Sequence, residues 1–374
     1  MVSLARSSLI YEWRRYLAAI LAITFSGLLV LVQLSLLLGL FGTVSAIVDQ
    51  SKADLWIGFP NTPSVDMGRP IVSMSDAIAW THPAVQRIER YVSAFGDLRR
   101  SDGIPLSVII NAIDSAPEGL AFARLLSPQQ RALLDEPNAV FIDAADQAKL
   151  GAEIGDIVEI NGKRARIVGV ADGIRAVGGV NLIVSYATAR TLAPQTNEVV
   201  MFYLVSLKSG ANAKTVAEEL EEKTAIRRYS VWLSDTLSAQ SQAFWLLESG
   251  AGVGSGFASL LALIVGIVIT SQTLSGTILA SIKEFAALRA LGVSQRSLRA
   301  VVIEQSLWIG SIGLIITALL TLVCAWLGDT FKIPMSFPWW MLSGVSVLIL
   351  LIALLSGLLS LRPLLSAEPA SLLR

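Results

Sequence analysis

Residues 281–299 read SIKEFAALRALGVSQRSLR. This short basic segment lies between two runs without a formal charge, Ser249–Ile282 and Gln305–Gly328. Either run exceeds the ~20 residues that a helix needs to cross a bilayer core. The segment therefore emerges on one side of a membrane before the chain dives back. Lys283, Arg289, Arg296 and Arg299 assign that side to the cytoplasm by the positive-inside rule. Ile282, Phe285, Ala286, Leu288 and Leu291 recur at spacings of three and four, which places them on one helical face. Gly292 suits the C-terminal cap of that helix, and Ser294 the N-cap of the next. An apolar face on a cytoplasmic loop needs a partner. It lies on headgroups and neighbouring helices, or it docks into a cytoplasmic protein.

Composition supports the membrane reading. Hydrophobic residues make up 53% of the 374-residue chain and charged residues only 16%, against about 25% charged in ordinary soluble domains. The formal net charge is zero, so no bulk electrostatic pull toward nucleic acid is implied. Cys324 is the single cysteine and sits in an apolar run. It reads as a small buried hydrophobe. The one histidine, His82, precedes Pro83 and reads as a turn residue.

Outward from the basic segment, the topology is consistent at every end. Residues 1–15 carry Arg6, Arg14 and Arg15 and form a cytoplasmic N-terminus. Residues 16–48 form an uncharged run too long for the h-region of a secretory signal, so they read as an uncleaved first transmembrane helix. Residues 49–245 form a large extracytoplasmic α+β domain. Residues 246–280 hold the second span, 281–300 the cytoplasmic loop and 301–327 the third span. A short outer loop, 328–338, precedes the fourth span, 339–361, whose start is marked by Trp339 and Trp340 in the manner of an interfacial aromatic belt. Residues 362–374 return to the cytoplasm. The first and second spans are longer than a ~30 Å hydrocarbon core requires. They are expected to continue outside as a stalk, where Gln33, Ser35, Thr43 and Ser45 lie on one and Ser249 and Ser255 on the other.

Within 49–245 the clearest element is a hairpin. Asp156–Ile160 and Lys163–Val170 flank Asn161-Gly162, the pair that a type I′ turn favours because it needs φ > 0 twice. Strands are also expected at Leu106–Ile110, Ala139–Ile142, Asn181–Ser185 and Val199–Leu207. Helices are expected at Ser75–Ile78, Ser127–Leu134, Asp143–Leu150, Ala187–Leu192, Ala213–Lys223 and Ser234–Leu247. Ser127 caps the second of these, with Pro128 at its first position.

The sequence offers little chemistry of its own. It holds no Gly-x-x-x-x-Gly-Lys-Ser/Thr phosphate loop, so ATP binding by that route is not expected. One histidine and one cysteine cannot furnish a zinc cage, and a Ser/His/Asp triad would have to use His82. The chain reads as a non-catalytic subunit with neither cofactor nor metal. Few polar groups lie deep in the spans: Gln33 and Gln272, with Glu304 near an inner end. That scarcity argues against an ion-coupled transporter or a hydrophilic pore. Small residues dominate the second span instead. Gly252 and Gly256, and Ala262 and Gly266, have the small-xxx-small spacing that permits close helix contact. Two readings stand beside each other, a helix-packing or dimer seam and a flexible glycine-rich hinge.

Lys283 to Val293, KEFAALRALGV, resembles the cytoplasmic loop of the MacB/FtsX-type ABC transporter permeases. That loop commonly reads Glu-Ile-Gly, two variable residues, a basic residue, Ala, Leu or Ile, and Gly. Phe285-Ala286 stands here in place of Ile-Gly, which is closer to the subgroup resembling DevC, the permease of a glycolipid exporter. Leu150–Ile160 with Arg166–Val170 resembles the family's extracytoplasmic hairpin. RPLLSAEPASLLR, residues 362–374, resembles its C-terminal ending.

The resemblance implies four transmembrane helices with the large domain between the first two, in a cell (inner) membrane. It implies a homodimer, or a heterodimer with a sister permease, and a separate cytoplasmic ABC ATPase that holds ATP and Mg. By position, Lys283, Glu284, Phe285, Leu288, Arg289, Leu291 and Gly292, with Arg296 beyond, would form the helix that couples to it. Where a periplasm exists, a membrane-fusion-type adaptor and an outer-membrane channel are implied as well. The expected activity is export of a lipid-like or amphipathic substrate. The alternative is an FtsX-like signalling or scaffold role that regulates cell-envelope enzymes without transport. The topology has a direct check. A membrane-impermeant thiol reagent applied from outside should label cysteines placed within 49–245 and spare those within 281–300; the reverse pattern would overturn the orientation.

Overall fold

The computed structural model describes residue 11 and residues 13–71, 75–100, 103–174, 179–197, 199–222, 229–248, 250–280, 293–331 and 333–360. The chain divides into two units. One joins the N-terminal part through Gly39 with everything from Gly250 on, and the other spans Leu40–Ser249.

Helix α1 (Trp13–Val44) is followed at once by α2 (Ala46–Asp49). Then come β1 (Leu55–Gly58), α3 (Ser75–Trp80), β2 (Val85–Arg99), β3 (Pro105–Ile113), α4 (Pro128–Leu133), β4 (Ala139–Asp143) and α5 (Gln147–Leu150). The unit continues through β5 (Ile157–Ile160), β6 (Lys163–Ala171), β7 (Val180–Ser185), α6 (Tyr186–Leu192), β8 (Phe202–Leu207), α7 (Ala213–Glu222), β9 (Ser230–Leu233) and α8 (Ser234–Leu247). The chain then forms α9 (Gly250–Ala280), α10 (Gln295–Thr330) and α11 (Trp339–Ser360). By length and composition α1, α9, α10 and α11 can each cross a membrane. The large α+β domain lies between the first and second of them, as expected.

The domain turns on β2. Its first half, Val85–Tyr91, pairs with β8. Its second half, Val92–Arg99, pairs with β3. β3 continues to β7, β7 to β4, β4 to β6 and β6 to β5. β5 then returns to β2 through Leu98 and Arg99, closing a ring of strands. Alternate residues around the ring, among them Val108, Ile110, Ala112, Val140, Ile142, Val180, Leu182 and Val184, form one buried apolar cluster. This is the period-two burial of strands whose one face is turned inward. On the other side of β2, the order β2-β8-β1-β9 makes an antiparallel sheet. Leu55, Ile57, Tyr203 and Val205 of that sheet pack with Val216 and Leu220 of α7. Trp56, Phe202 and Leu204 join Leu237 of α8 in a further cluster.

Local expectations fare well where the signal is local. Asn161 and Gly162 both take positive φ, 49° and 74°, and join Ile160 to Lys163 in the hairpin. Ser127 caps α4 through the Gln130 N–H, and Gln130 returns the bond to the Ser127 N–H. His82 sits in a turn, as its sequence suggests, but it is buried and its Nε2 lies 2.9 Å from Glu219 Oε2. The expected helix over 143–150 is a 3₁₀ turn, Ala144–Asp146, leading into α5, because Asp143 belongs to β4 and caps the turn through the Ala145 N–H. The strand expected from Val199 starts at Phe202, while Val200 makes an isolated bridge to Ile71. β1, β2 and β9 are additional to the strands expected from the sequence pattern.

Glu89 of β2 shows why a strand so rich in charge is held in the interior. Its carboxylate is buried and accepts hydrogen bonds from the backbone N–H of Asp114, Leu120 and Ala121. Arg131, also buried, donates to the carbonyls of Asp114 and Ala121. Together they clamp the loop after β3, in which Phe122 is held at φ 51°. A bulky residue there costs about 1–3 kcal/mol and persists only where its surroundings over-determine it. Burial raises the Glu89 carboxyl above its ordinary 4.5, against the lowering pull of its backbone donors and Arg131. The folded state then binds more protons than the unfolded one between 4.5 and the raised value, so this group's contribution to stability falls as pH rises through that window. The Glu89→Gln variant should lose that pH dependence. It should also be less stable at neutral pH by about 1–3 kcal/mol, because the backbone N–H groups of Asp114, Leu120 and Ala121 lose their charged acceptor. Urea unfolding of wild type and variant across pH checks both effects.

Candidate functional site

Two regions are the candidates for function, the basic segment 281–300 and the seams by which the membrane-spanning helices pack. Lys283, Glu284, Phe285, Leu288, Arg289, Leu291 and Gly292 lie outside the described residues. Their flanks are defined. α9 ends at Ala280, and α10 starts at Gln295 under the cap of Ser294, whose Oγ accepts from the Ser297 N–H at 3.2 Å. Arg296 and Arg299 are exposed in the first turns of α10, and no acidic residue accompanies them in its first turn. Cations at a helix N-terminus oppose the macrodipole. The helix therefore gains no dipole stabilisation from them.

Within the membrane unit α1 is the common element. Tyr16, Ile23, Val30 and Leu31 are buried with Leu274 of α9, Ile309 of α10 and Val345, Ile349 and Ala353 of α11. Polar side chains tie the seams. Ser26 Oγ donates to the Ala262 carbonyl at 2.9 Å, and Ser259 Oγ donates to Gln33 Oε1 at 2.7 Å. Thr317 Oγ1 lies within bonding distance of the Gly313 and Thr24 carbonyls. Ser356 Oγ of α11 donates to the Ile267 carbonyl of α9 at 3.3 Å. The connection between α10 and α11 is fastened to α1 too, where the Ser336 N–H donates to the Ser35 carbonyl at 3.0 Å.

The four small residues singled out on α9 do not share one seam. Ala262 supplies the carbonyl that Ser26 uses. A Cβ on Gly266 would stand 2.3 Å from Ser26 Oγ and 3.0 Å from its Cβ. Both residues therefore serve α1 of the same chain. Gly252 is buried, whereas Gly256 is exposed and a Cβ there would meet nothing within 4 Å. The reason is angular. Positions 256 and 266 are separated by ten residues, which at 3.6 per turn leaves them about 80° apart on the helix. Around Gly256 the face of α9 is broad and apolar, with Val253, Phe257, Leu260, Leu261 and Ile264 exposed.

The domain unit contributes a cavity of about 110 Å³ among Val44, Ile47, Tyr91, Asn111, Phe122 and Asn181. Its polar groups are satisfied by one another. Tyr91 donates to Asn111 Oδ1 at 2.5 Å, Asn111 Nδ2 to Asn181 Oδ1 at 3.0 Å, and Asn181 Nδ2 to the Ile174 carbonyl at 2.6 Å. No group of three or more metal-ligating side chains occurs among the described residues.

Residues 16–223 match the family described as MacB-like periplasmic core domain, and residues 256–369 match the FtsX-like permease C-terminal region. The chain belongs to the MacB/FtsX-type family of ABC transporter permeases. An uncharacterized ABC transporter permease of Methanocaldococcus jannaschii is 24% identical over 232 residues, which are 59% of this chain and 58% of that protein. The match thus spans little more than half of the relative. Among solved structures, the periplasmic region of MacB from Actinobacillus actinomycetemcomitans covers 51% of this chain and 94% of its own, at 16% identity and a TM-score of 0.35. The extracellular domain of the noncanonic ABC-type transporter YknZ from Gram-positive bacteria covers 48% and 100%, at 14% identity and a TM-score of 0.35.

In a permease built this way, Gly266→Leu must push α9 from α1, while Gly256→Leu meets open space. Detergent-solubilised Gly266→Leu should lose about 1–3 kcal/mol of stability, the usual range for overpacking, and Gly256→Leu should unfold as wild type does. Thermal denaturation of the two purified variants compares them.

Proposed function

We propose that this permease transmits motion from a separate cytoplasmic ATPase to its extracytoplasmic domain, and so exports a lipid-like or amphipathic substrate. The observation that supports this most is the double role of α1. Its Tyr16–Leu31 portion is buried among α9, α10 and α11. Its last turn belongs to the domain unit, where Phe41 and Val44 are buried and the Phe41 ring lies 6.2 Å from that of Trp245 on α8. One unbroken helix, Trp13–Val44, thus contributes buried residues to both units. In this reading the segment Lys283–Gly292, with Arg296, is the coupling helix, and α1 and the α8–α9 connection are the stalk that carries the motion. ATP and Mg reside on the partner.

The face of α9 around Gly256 is where a second permease copy, or a sister permease, would pack. Both termini and the coupling segment are cytoplasmic in this scheme, in a cell (inner) membrane. With a periplasm present, the domain would meet an adaptor and an outer-membrane channel. Phe285-Ala286 draws the comparison toward DevC-like exporters. The second reading is an FtsX-like regulator of envelope enzymes. The size of the domain between α1 and α9 supports the transport reading.

Co-expression with a candidate ABC ATPase from the same genome tests the proposal. The two should co-purify, and Arg289→Glu or Leu288→Asp should abolish both co-purification and ATP-dependent efflux. Cell-wall defects in a deletion strain that effluxes normally would favour the regulatory reading instead.

A further inference from the structure

The domain unit has a second concavity, of about 410 Å³, between β2 and α6. Arg90, Tyr186, Arg190 and Asn197 line it, with Val92 and Val199 as apolar wall. The Arg90 guanidinium lies 5.2 Å from the centre of the Tyr186 ring. Tyr186 donates its hydroxyl hydrogen to the Arg90 carbonyl, so ring and guanidinium are fixed on one residue's backbone. Burial, and then the neighbouring Glu89 and Asp114 carboxylates, keep that phenol protonated and able to donate.

Among the described residues, the two arginines differ from their neighbours in having no carboxylate partner. Arg87 pairs with Asp114 at 2.7 Å, Arg99 with Glu159 at 3.8 Å and Arg166 with Glu136 at 3.6 Å. Neither Arg90 nor Arg190 forms an ion pair among the described residues, and both are exposed. A guanidinium stacked on an aromatic face keeps its edge N–H groups free, and that edge matches the paired oxygens of a phosphate or carboxylate.

We propose that this pocket binds the anionic head of an amphipathic molecule, with the phosphate or carboxylate between Arg90 and Arg190 and the apolar part against Val92 and Val199. The proposal rests on reading the chain as an exporter of amphipathic substrates, and it adds the charge that such a substrate carries. The purified full chain in neutral detergent, without any ATPase, tests it by equilibrium binding of dihexanoyl phosphatidic acid, dihexanoylglycerol and inorganic phosphate. The phosphatidic acid should bind in a salt-sensitive manner and the uncharged glyceride should not. Arg90→Gln and Arg190→Gln should each weaken binding tenfold or more. Arg190→Lys should retain part of it, and Arg164→Gln, at an exposed site on β6, all of it. Inorganic phosphate bound as tightly as the lipid would overturn the amphipathic part and assign the site to free phosphate. Absent binding, or binding indifferent to both glutamine variants, would overturn the proposal whole. ATPase co-purification is measured separately, so a null result here with that result intact removes only the anionic ligand.

Discussion

Apolar helices in lipid gain no hydrophobic energy by touching one another, so their association depends on close backbone approach and on hydrogen bonds that lipid cannot offer. The membrane unit meets that constraint along α1. Gly266 admits Ser26, and Ser26 bonds to the Ala262 carbonyl. Gln33 accepts from Ser259, and Gly313 lets Ile23 approach. Each contact uses a small residue or a hydroxyl to bring a second helix close. α1 is thereby tied to both α9 and α10, although most of its own residues are apolar.

A comparable economy governs the domain. β2 gives one half of its length to a closed ring and the other to an open sheet, so two cores share a single strand. The charged residues on that strand are accommodated in different ways. Glu89 is buried against three backbone donors, Arg87 is paired with Asp114, and Arg90 is laid on Tyr186. The loop that covers Glu89 also carries Phe122 in its left-handed conformation, so the clamp and the cavity wall are built from one segment.

Features encoded by adjacent residues were legible from the chain alone. Asn161-Gly162, Ser127-Pro128 and the four long apolar runs each state their structure within a few positions. β2 was not legible because its pattern changes where its partners change and because Arg87, Glu89, Arg90, Asp97 and Arg99 interrupt any simple alternation. β1 is buried at all of its positions and so shows no period at all. Ring closure rests on Leu98 meeting Ile160, a pairing that no local rule reports. The glycine pattern on α9 disclosed that close contacts exist but not their direction, which depends on the angle between positions 256 and 266. Charge and periodicity marked 281–299 as a basic loop between two spans; a coupling role for it is what the family resemblance implies.

The sharing of β2 has a mechanical consequence. A pull entering the domain through α2 reaches β1, then β8, then β2, along antiparallel ladders whose hydrogen bonds stand across the strands. Tension along such strands loads many bonds at once, in shear, instead of peeling them singly. The ring beyond β2 would then be dragged as a whole and keep its shape under a force sufficient to unzip a hairpin from its end.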